Sequence, residues 1–229
     1  MKNSGNMIDP PIPNYMIETY SWAYINPVCV ALLDRTLVVS LILWGNHRKL
    51  MNVSLMEFGI GWKVLQAAHV YGNFTHELAL AVGPNGHLDV IDVAPIQVEH
   101  CRRKLAGLTQ ARVRLADAAE PVGEIYNAVS SYFLLHEVPD GYKHSIVNAL
   151  LDSVAPGGKA VFVDYHKPDH RHPLKGLMNF IFRTLEPYAA GLLEKEIASF
   201  ARDADNFVWR KQVYFGGLYQ KVVAERRMS

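Results

Sequence analysis

From Lys63 onward the sequence alternates short apolar runs with segments of helical periodicity, and this alternation constrains the fold more than any other feature. The apolar runs predict strands, and the segments between them predict connecting helices. The predicted strands are residues 63–68, 88–93, 111–117, 125–135 and 159–166. Strands that are joined through helices pair in parallel, with helices on both faces of the sheet. The sequence therefore predicts a doubly wound α/β domain.

The C-terminal part of the chain continues the pattern differently. Residues 172–201 have a helical pattern, and residues 207–226 predict two strands joined through Gly216 and Gly217. An antiparallel pair there completes a seven-stranded, mostly parallel sheet. We expect residues 51–229 to form this Rossmann-like domain, with substrate helices at about 170–200, and residues 1–50 to form an N-terminal helical extension or lid.

Length and charge narrow the class of protein. A chain of 229 residues is long enough for one sizeable core. Its formal net charge of +1 argues against a nucleic-acid partner, since there is no basic stripe. Cys29 and Cys101 form no CxxC pair, so a thiolate metal site is not expected. Residues 1–15 lack the apolar run of a signal peptide, and the longest apolar stretch, residues 36–45, is about half the ~20 residues of a spanning helix.

Small and acidic residues follow the first three predicted strands, where ligands bind in such sheets. Ala67, Ala68 and Gly72 keep the first turn small, so that the backbone can approach a ligand. Asp92 follows this loop by about 20 residues, the spacing of a ribose-binding acid, and Asp117 is placed to accept from an adenine amino group. A strand-terminal aspartate is also a common helix cap, and this alternative applies to Asp92 before Ala-Pro.

These positions carry a family resemblance. The segments that carry it are KVLQAAHVYG, LDVIDV, LADA, YFLLHEVPD and PGGKAVFVDYH, over about residues 63–166. With these segments the chain is similar to the class I S-adenosylmethionine-dependent methyltransferases, including those that act on ubiquinone and menaquinone precursors. The first motif departs from the family pattern, because Gln66 replaces an acid and Ala68 and Val70 stand in glycine positions.

A second set of segments extends over nearly the whole chain: ETYSWAYINP, LILWGN, VLQAAHVYGNFT, FLLHEVPD, VDYHKPDHRHPL and FRTLEPYA. Together they resemble the RquA family of rhodoquinone-biosynthesis enzymes. The resemblance implies conversion of ubiquinone to rhodoquinone, in which an amino group replaces a ring methoxy group. It also implies S-adenosylmethionine as amino donor and manganese as a helper. Loss of the acid at Gln66 would make a neutral amine on the cofactor less costly, which suits amino transfer.

The predicted site combines these observations. We expect the cofactor to be bound by Gln66, Ala67, Ala68, Gly72, Asp92, Val93, Asp117 and Ala118. The predicted catalytic residues are Tyr71, His136, Glu137, Asp164 and His166. The last four of these follow two predicted strands, so they are predicted to converge on one divalent ion. Such an ion would polarise a quinone carbonyl. The mixed imidazole and carboxylate ligands suit manganese without excluding zinc or iron. Alternatively, His136 and Glu137 orient a loop, and Asp164 and His166 hold a turn.

The substrate expectation concerns lipid contact. An isoprenoid tail needs an apolar groove or a membrane surface. The predicted contacts are the region from Tyr20 to Trp44 and the helix from Leu177 to Leu193. Alternatively, both segments are ordinary lids over the sheet. We therefore expect ubiquinone and a lipid surface as partners of a cytoplasmic protein at the inner membrane. Two other functions remain open, a conventional methyltransferase for a quinone or another small lipophilic molecule and a non-catalytic binding module. The oligomeric state is not predicted.

Overall fold

The computed structural model describes residues 11–24 and 33–228. Its centre is one seven-stranded sheet with strand order β3-β2-β1-β4-β5-β7-β6. The strands are β1 (Lys63–Ala67), β2 (His87–Asp92), β3 (Ala111–Leu115), β4 (Tyr126–Tyr132), β5 (Val154–Tyr165), β6 (Phe207–Tyr214) and β7 (Tyr219–Arg226). The predicted doubly wound, mostly parallel α/β fold is confirmed.

The pairing of the strands defines where a ligand binds. β1 pairs in parallel with β2 and with β4, so that Val64 lies beside both Leu88 and Ala128. β7 runs antiparallel to β5 and to β6, as the turn at Gly216 and Gly217 predicted. The strand order reverses between β1 and β4, so the crevice outside the carboxyl ends of these two strands is the expected binding position.

Helices cover both faces of the sheet. The helices are α1 (Asn14–Tyr24), α2 (Thr36–Ile42), α3 (His47–Leu55), α4 (Phe74–Ala81), α5 (Pro95–Lys104), α6 (Asp140–Asp152), α7 (Lys175–Thr184) and α8 (Ala189–Glu194). Alternate residues of β1 enter different cores: Val64 packs with Leu78 of α4, whereas Leu65 packs with Ile146 of α6. This alternation is what a sheet buried on both faces requires.

The N-terminal extension packs directly on the sheet. The predicted boundary at residue 50 falls inside α3, where Leu50 is fully buried. Just past this boundary, Lys221 of β7 donates from Nζ to the Val53 carbonyl oxygen at 3.0 Å and to Glu57 Oε1 at 2.6 Å, which ties the residues that follow the extension to the sheet. Residues 1–10 and 25–32 of the predicted extension lie outside the described residues.

Two predicted elements differ from the structure by more than a few residues. The helical pattern of residues 172–201 forms two helices, α7 and α8, because Pro187 lies between them and cannot continue a helix. β5 begins at Val154 and not at Lys159, and its pairing with β4 shifts register across the intervening residues, where Gly157 has a φ of 72°. The APGG segment is therefore an irregularity within the strand.

Candidate functional site

The loop after β1 keeps a tight turn without its expected glycines. Ala68 has a φ of 62°, in the left-handed region that favours glycine. The fully buried Gln66 holds this turn, since its Nε2 donates to the Ala68 carbonyl oxygen and to Thr75 Oγ1, both at 2.9 Å. Side-chain hydrogen bonds thus stabilise a backbone conformation that alanine alone disfavours.

Gly72, further along the loop, is fixed by the N-terminal extension. Its backbone nitrogen donates to Asp34 Oδ1 at 2.8 Å, and its carbonyl oxygen accepts from Lys104 Nζ at 2.6 Å. Lys104 also pairs with Asp34, and His100 Nε2 lies 2.7 Å from Asp34 Oδ2. The extension is therefore part of the framework of this loop.

Asp92 lies at the carboxyl end of β2 with its carboxylate buried. Oδ2 accepts from the His69 backbone nitrogen at 2.9 Å, and Oδ1 accepts from the Ala94 nitrogen at 2.8 Å. Burial raises the pKa of Asp92 to about 6, although these backbone donors favour the charged form. Asp92 thus fixes the backbone of the first loop and of the residue before α5. Each carboxylate oxygen keeps a further lone pair with which it can accept another hydrogen bond.

A small cavity of about 40 Å³ lies over the ends of β1, β2 and β3. Five of the predicted cofactor residues line it: Ala68, Asp92, Val93, Asp117 and Ala118. Tyr15 and Met16 of α1 form its opposite wall, and the Tyr15 ring contacts Tyr142 edge-on at 5.0 Å. We call this space the nucleoside-side cavity. Asp117 has a local bond as well, since its Oδ1 accepts from the Ala119 nitrogen at 2.8 Å.

Three of the predicted cofactor residues line neither this cavity nor the larger one described next. Gln66 and Ala67 are fully buried beneath the loop, and Gly72 faces Val39 and His47. They differ from the prediction because Gln66 uses its amide inside the loop and Gly72 is held by Asp34. These residues therefore support the loop without lining either cavity.

A larger cavity of about 180 Å³ adjoins the first, and we call it the aromatic cavity. Its polar and aromatic walls include Tyr71, Tyr132, Phe133, His136 and Tyr165, and α2 contributes Val39 and Leu43. An apolar cavity of roughly 150 Å³ accommodates benzene, so this space suits one ring. The two cavities share Ala68, His69 and Glu137 in their walls.

His136 and Asp164 form a buried pair at the wall of the aromatic cavity. His136 Nδ1 lies 2.7 Å from Asp164 Oδ1, and Asp164 Oδ2 accepts from the Leu135 backbone nitrogen at 2.8 Å. Burial by itself favours a neutral ring, but the Asp164 carboxylate outweighs it and raises the pKa of His136 to about 9. Glu137 Oε1 is 3.7 Å from His136 Nε2, so the predicted residues of this group are brought together with one exception.

The exception is His166, which the structure does not bring to the other three predicted metal ligands. Its Nδ1 donates to the Gly217 carbonyl oxygen at 2.8 Å, and its Nε2 lies 3.3 Å from Lys211 Nζ, away from the aromatic cavity. Asp164 already accepts three hydrogen bonds, including one from the Tyr165 nitrogen. Within residues 11–24 and 33–228, no group of three or more histidine, cysteine, aspartate and glutamate side chains is placed to hold a metal ion. The donor set does not fit a metal.

Several residues at the site were not predicted individually, although Tyr20 and Glu186 lie within the two segments that were predicted to contact the substrate. Tyr20 of α1 donates its hydroxyl to Glu186 Oε2 at 2.8 Å, and both line the aromatic cavity. Burial raises the pKa of the Glu186 carboxyl. Gln97 Nε2 donates to the predicted Tyr71 hydroxyl at 3.0 Å, and Gln97 Oε1 lies 3.1 Å from His69 Nδ1. For His69 a signal was available in the sequence, because this residue directly follows a predicted strand. Tyr20, Gln97 and Glu186 do not directly follow a predicted strand, so nothing in the local sequence indicated that these individual side chains reach the site.

Comparison with known proteins defines the fold class. No protein-family model and no curated protein matches the chain. Among solved structures, an O-methyltransferase family protein from Burkholderia thailandensis is similar over 92% of this chain and 64% of its own, with TM-score 0.68 and 14% identity. The N-methyltransferase NodS from Bradyrhizobium japonicum, in complex with S-adenosyl-L-homocysteine, matches over 93% and 99%, with TM-score 0.60 and 14% identity. Human N-acetylserotonin methyltransferase, in complex with SAM, matches over 95% and 61%, with TM-score 0.62 and 15% identity.

These likenesses identify a methyltransferase-like fold. At such identities they concern the fold alone, and the chain spans less than two thirds of the Burkholderia and human proteins. The feature shared with the prediction is the seven-stranded, mostly parallel sheet with helices on both faces. Among the described helices, none combines the length and hydrophobicity that a membrane-spanning segment requires.

Proposed function

We propose that the chain is an S-adenosylmethionine-dependent transferase that modifies the ring of a small lipophilic molecule such as a quinone. The observation that carries this proposal is the contact between two different cavities at the switch point of the sheet. The nucleoside-side cavity has Asp92 and Asp117 in its wall, and the aromatic cavity has His136. The cavity of about 40 Å³ is too small for a nucleoside as it stands, so binding requires Tyr15 and Met16 of α1 to move aside. Once it has widened, the shared walls at Ala68 and His69 would let a cofactor in the first cavity reach a ring in the second.

Methyl transfer is the reaction that the structural neighbours favour, since methyltransferases share this fold. When bound, S-adenosylmethionine supplies an activated methyl group. The chain's own contribution is to hold the acceptor ring among Tyr132, Phe133 and Tyr165 and to bind a ring oxygen at the polar edge formed by His136 and Glu137. Asp164 fixes the orientation of the His136 ring.

Amino transfer to ubiquinone, giving rhodoquinone, is the second proposal. The observation that favours it is the uncharged first loop, in which Gln66 replaces the usual acid and His69 is buried. Burial, assisted by Lys104, lowers the pKa of His69 to about 4, so this ring is neutral at physiological pH. A cofactor amine that meets no carboxylate on this loop is less strongly held as ammonium.

One labelling experiment separates these reactions. The purified protein is incubated with ubiquinone, or with its demethylated precursor, and S-adenosylmethionine that carries ¹³C in its methyl group and ¹⁵N in its amino group. Mass analysis of the quinone then reports which atom was transferred. A ¹³C-methylated product supports methyl transfer, and a ¹⁵N-aminoquinone that has lost methanol supports amino transfer. A quinone without either label, under conditions where the cofactor binds, contradicts both. His136→Asn is the matched negative control.

Lipid contact forms the third part of the proposal, and apolar side chains on α7 and α2 support it. Leu177 and Phe180 of α7 are 47% and 64% exposed, and Lys175 and Arg183 lie on the same helix. Exposed apolar residues beside cations are typical of helices that bind anionic lipid surfaces. α2 exposes Leu37 on its outer side. We propose peripheral contact with an anionic membrane through these helices; the side chains of Trp22 and Tyr24 lie outside the described part.

A further inference from the structure

His69 lies where the two cavities meet, and the proposed chemistry so far uses only the absence of charge on its ring. It follows the left-handed Ala68, and its backbone nitrogen is fixed on Asp92. Its ring is 4% exposed and contributes to the walls of both cavities. His69 Nε2 is buried and has no hydrogen-bond partner in the described part of the chain. Buried polar atoms are rarely left unpaired, so this one requires an explanation.

The hydrogen bonds around His69 fix its tautomer. Gln97 Nε2 donates to the Tyr71 hydroxyl, which leaves Gln97 Oε1 facing His69 Nδ1 at 3.1 Å. An amide oxygen only accepts, so Nδ1 carries the proton. Burial, Lys104 and His100 lower the pKa of His69, and Asp34 raises it. The lowering effects are larger, so the ring is neutral. In a neutral ring with a proton on Nδ1, Nε2 is a bare acceptor.

The position of this acceptor indicates which donor it receives. S-adenosylmethionine that has its nucleoside beside Asp92 and its reacting end toward the aromatic cavity must place its amino-acid portion near their shared wall. The sulfonium has no hydrogen-bond donor, whereas the α-amino group has N–H donors. We propose that His69 Nε2 accepts a hydrogen bond from the α-amino group of the bound cofactor, an inference that rests on the proposed function.

This role is binding and orientation of the amine. Because the ring has so low an affinity for protons, it receives a hydrogen bond without removing the proton of an ammonium group. In amino transfer, the same contact would aim the nitrogen; in methyl transfer, it would anchor the amino-acid portion while the methyl group is transferred.

The test compares two compounds by isothermal titration calorimetry. S-adenosylhomocysteine carries the α-amino group, and 5′-methylthioadenosine lacks the whole amino-acid portion. His69→Asn keeps a donor for Gln97 but removes the acceptor at the position of Nε2. We expect it to weaken S-adenosylhomocysteine binding by about 10- to 100-fold, the effect of one hydrogen bond to a charged group, and to leave 5′-methylthioadenosine binding unchanged. His69→Gln, which offers an acceptor near the position of Nε2, should restore part of the affinity.

Two further variants keep the test decisive. His76→Asn changes a half-exposed histidine on α4 and should leave both affinities unchanged. Gln97→Glu places a carboxylate against His69 Nδ1, and this favours the protonated, charged ring. In that ring Nε2 is a donor and can no longer accept a hydrogen bond from the α-amino group. S-adenosylhomocysteine binding should therefore weaken again, and 5′-methylthioadenosine binding should not. Unchanged S-adenosylhomocysteine affinity in folded His69→Asn, or equal losses for both compounds, overturns the role of His69. Failure of the wild type to bind either compound instead rejects the proposed cofactor, and this inference with it.

Discussion

The buried carboxylate of Asp92 should make cofactor binding depend on pH near neutrality. A ribose hydroxyl donates to a carboxylate more strongly than to a protonated acid, so the ionised form is the one that binds well. Burial raises the pKa of Asp92 to about 6. With that pKa, roughly one molecule in eleven is ionised at pH 5 and roughly ten in eleven at pH 7. If only the ionised form binds, the affinity for S-adenosylhomocysteine should rise about tenfold between pH 5 and pH 7.

Calorimetric titrations at half-unit steps of pH measure this dependence directly. In Asp92→Asn the affinity should be weaker throughout and nearly constant over the same range, since the titrating carboxyl has been removed. Asp117→Asn is the matched control, because Asp117 lines the same cavity but bonds locally to Ala119, and it should retain the pH dependence. A wild-type affinity that is constant from pH 5 to pH 7, or an equal slope in Asp92→Asn, would refute the reasoning.

Three other predictions concern stability and membrane contact. Because the folded-state pKa of Asp92 is raised above its unfolded value, its contribution to the free energy of unfolding should decrease by about 2 kcal/mol as pH rises from about 4 to about 6. Urea unfolding of wild type and Asp92→Asn at both pH values checks the difference. Ala68→Gly should relieve left-handed strain of about 1–2 kcal/mol, partly offset by backbone entropy of about 0.5–1 kcal/mol, and a thermal melt should show Tm higher by roughly 2 °C. Phe180→Ser should reduce co-sedimentation with phosphatidylserine vesicles several-fold, whereas Ile125→Ser, an exposed change at the amino-terminal end of the central strand β4, should not. A lower Tm or unaltered sedimentation would contradict the respective prediction.

The fold was predictable because its main signal is local. Each strand is a short apolar run, and a run such as residues 88–93 predicts β2 without knowledge of its neighbours. The exact ends were less predictable where tertiary contacts decide them. Residues 154–158 follow a helix and contain two glycines, yet pairing of Val154 with Tyr126 begins β5 there. The hydrophobic periodicity of residues 154–158 contains no information about this pairing.

The site was predictable only where its residues follow strands. Asp92, Asp117 and His136 lie at the cavities because the ends of parallel strands meet at one edge of a sheet. His166 also follows a strand, but the backbone at Gly217 holds its ring on the other side. Asp34 reaches Gly72 across 38 residues of sequence, and nothing local in its own segment indicates that contact.

The contacts around the first loop explain how it keeps its shape with Gly72 as its one glycine. Gln66 from β1 holds Ala68, and Asp34 and Lys104 hold the two backbone polar groups of Gly72. A glycine-rich loop is freer before its ligand binds, whereas this loop is ordered by side chains that are already in place. Ordering that is complete before binding does not oppose binding, so cofactor affinity here should depend on residues that never touch the cofactor. In this protein the N-terminal extension is one of those determinants, because Asp34 is its contribution to the loop.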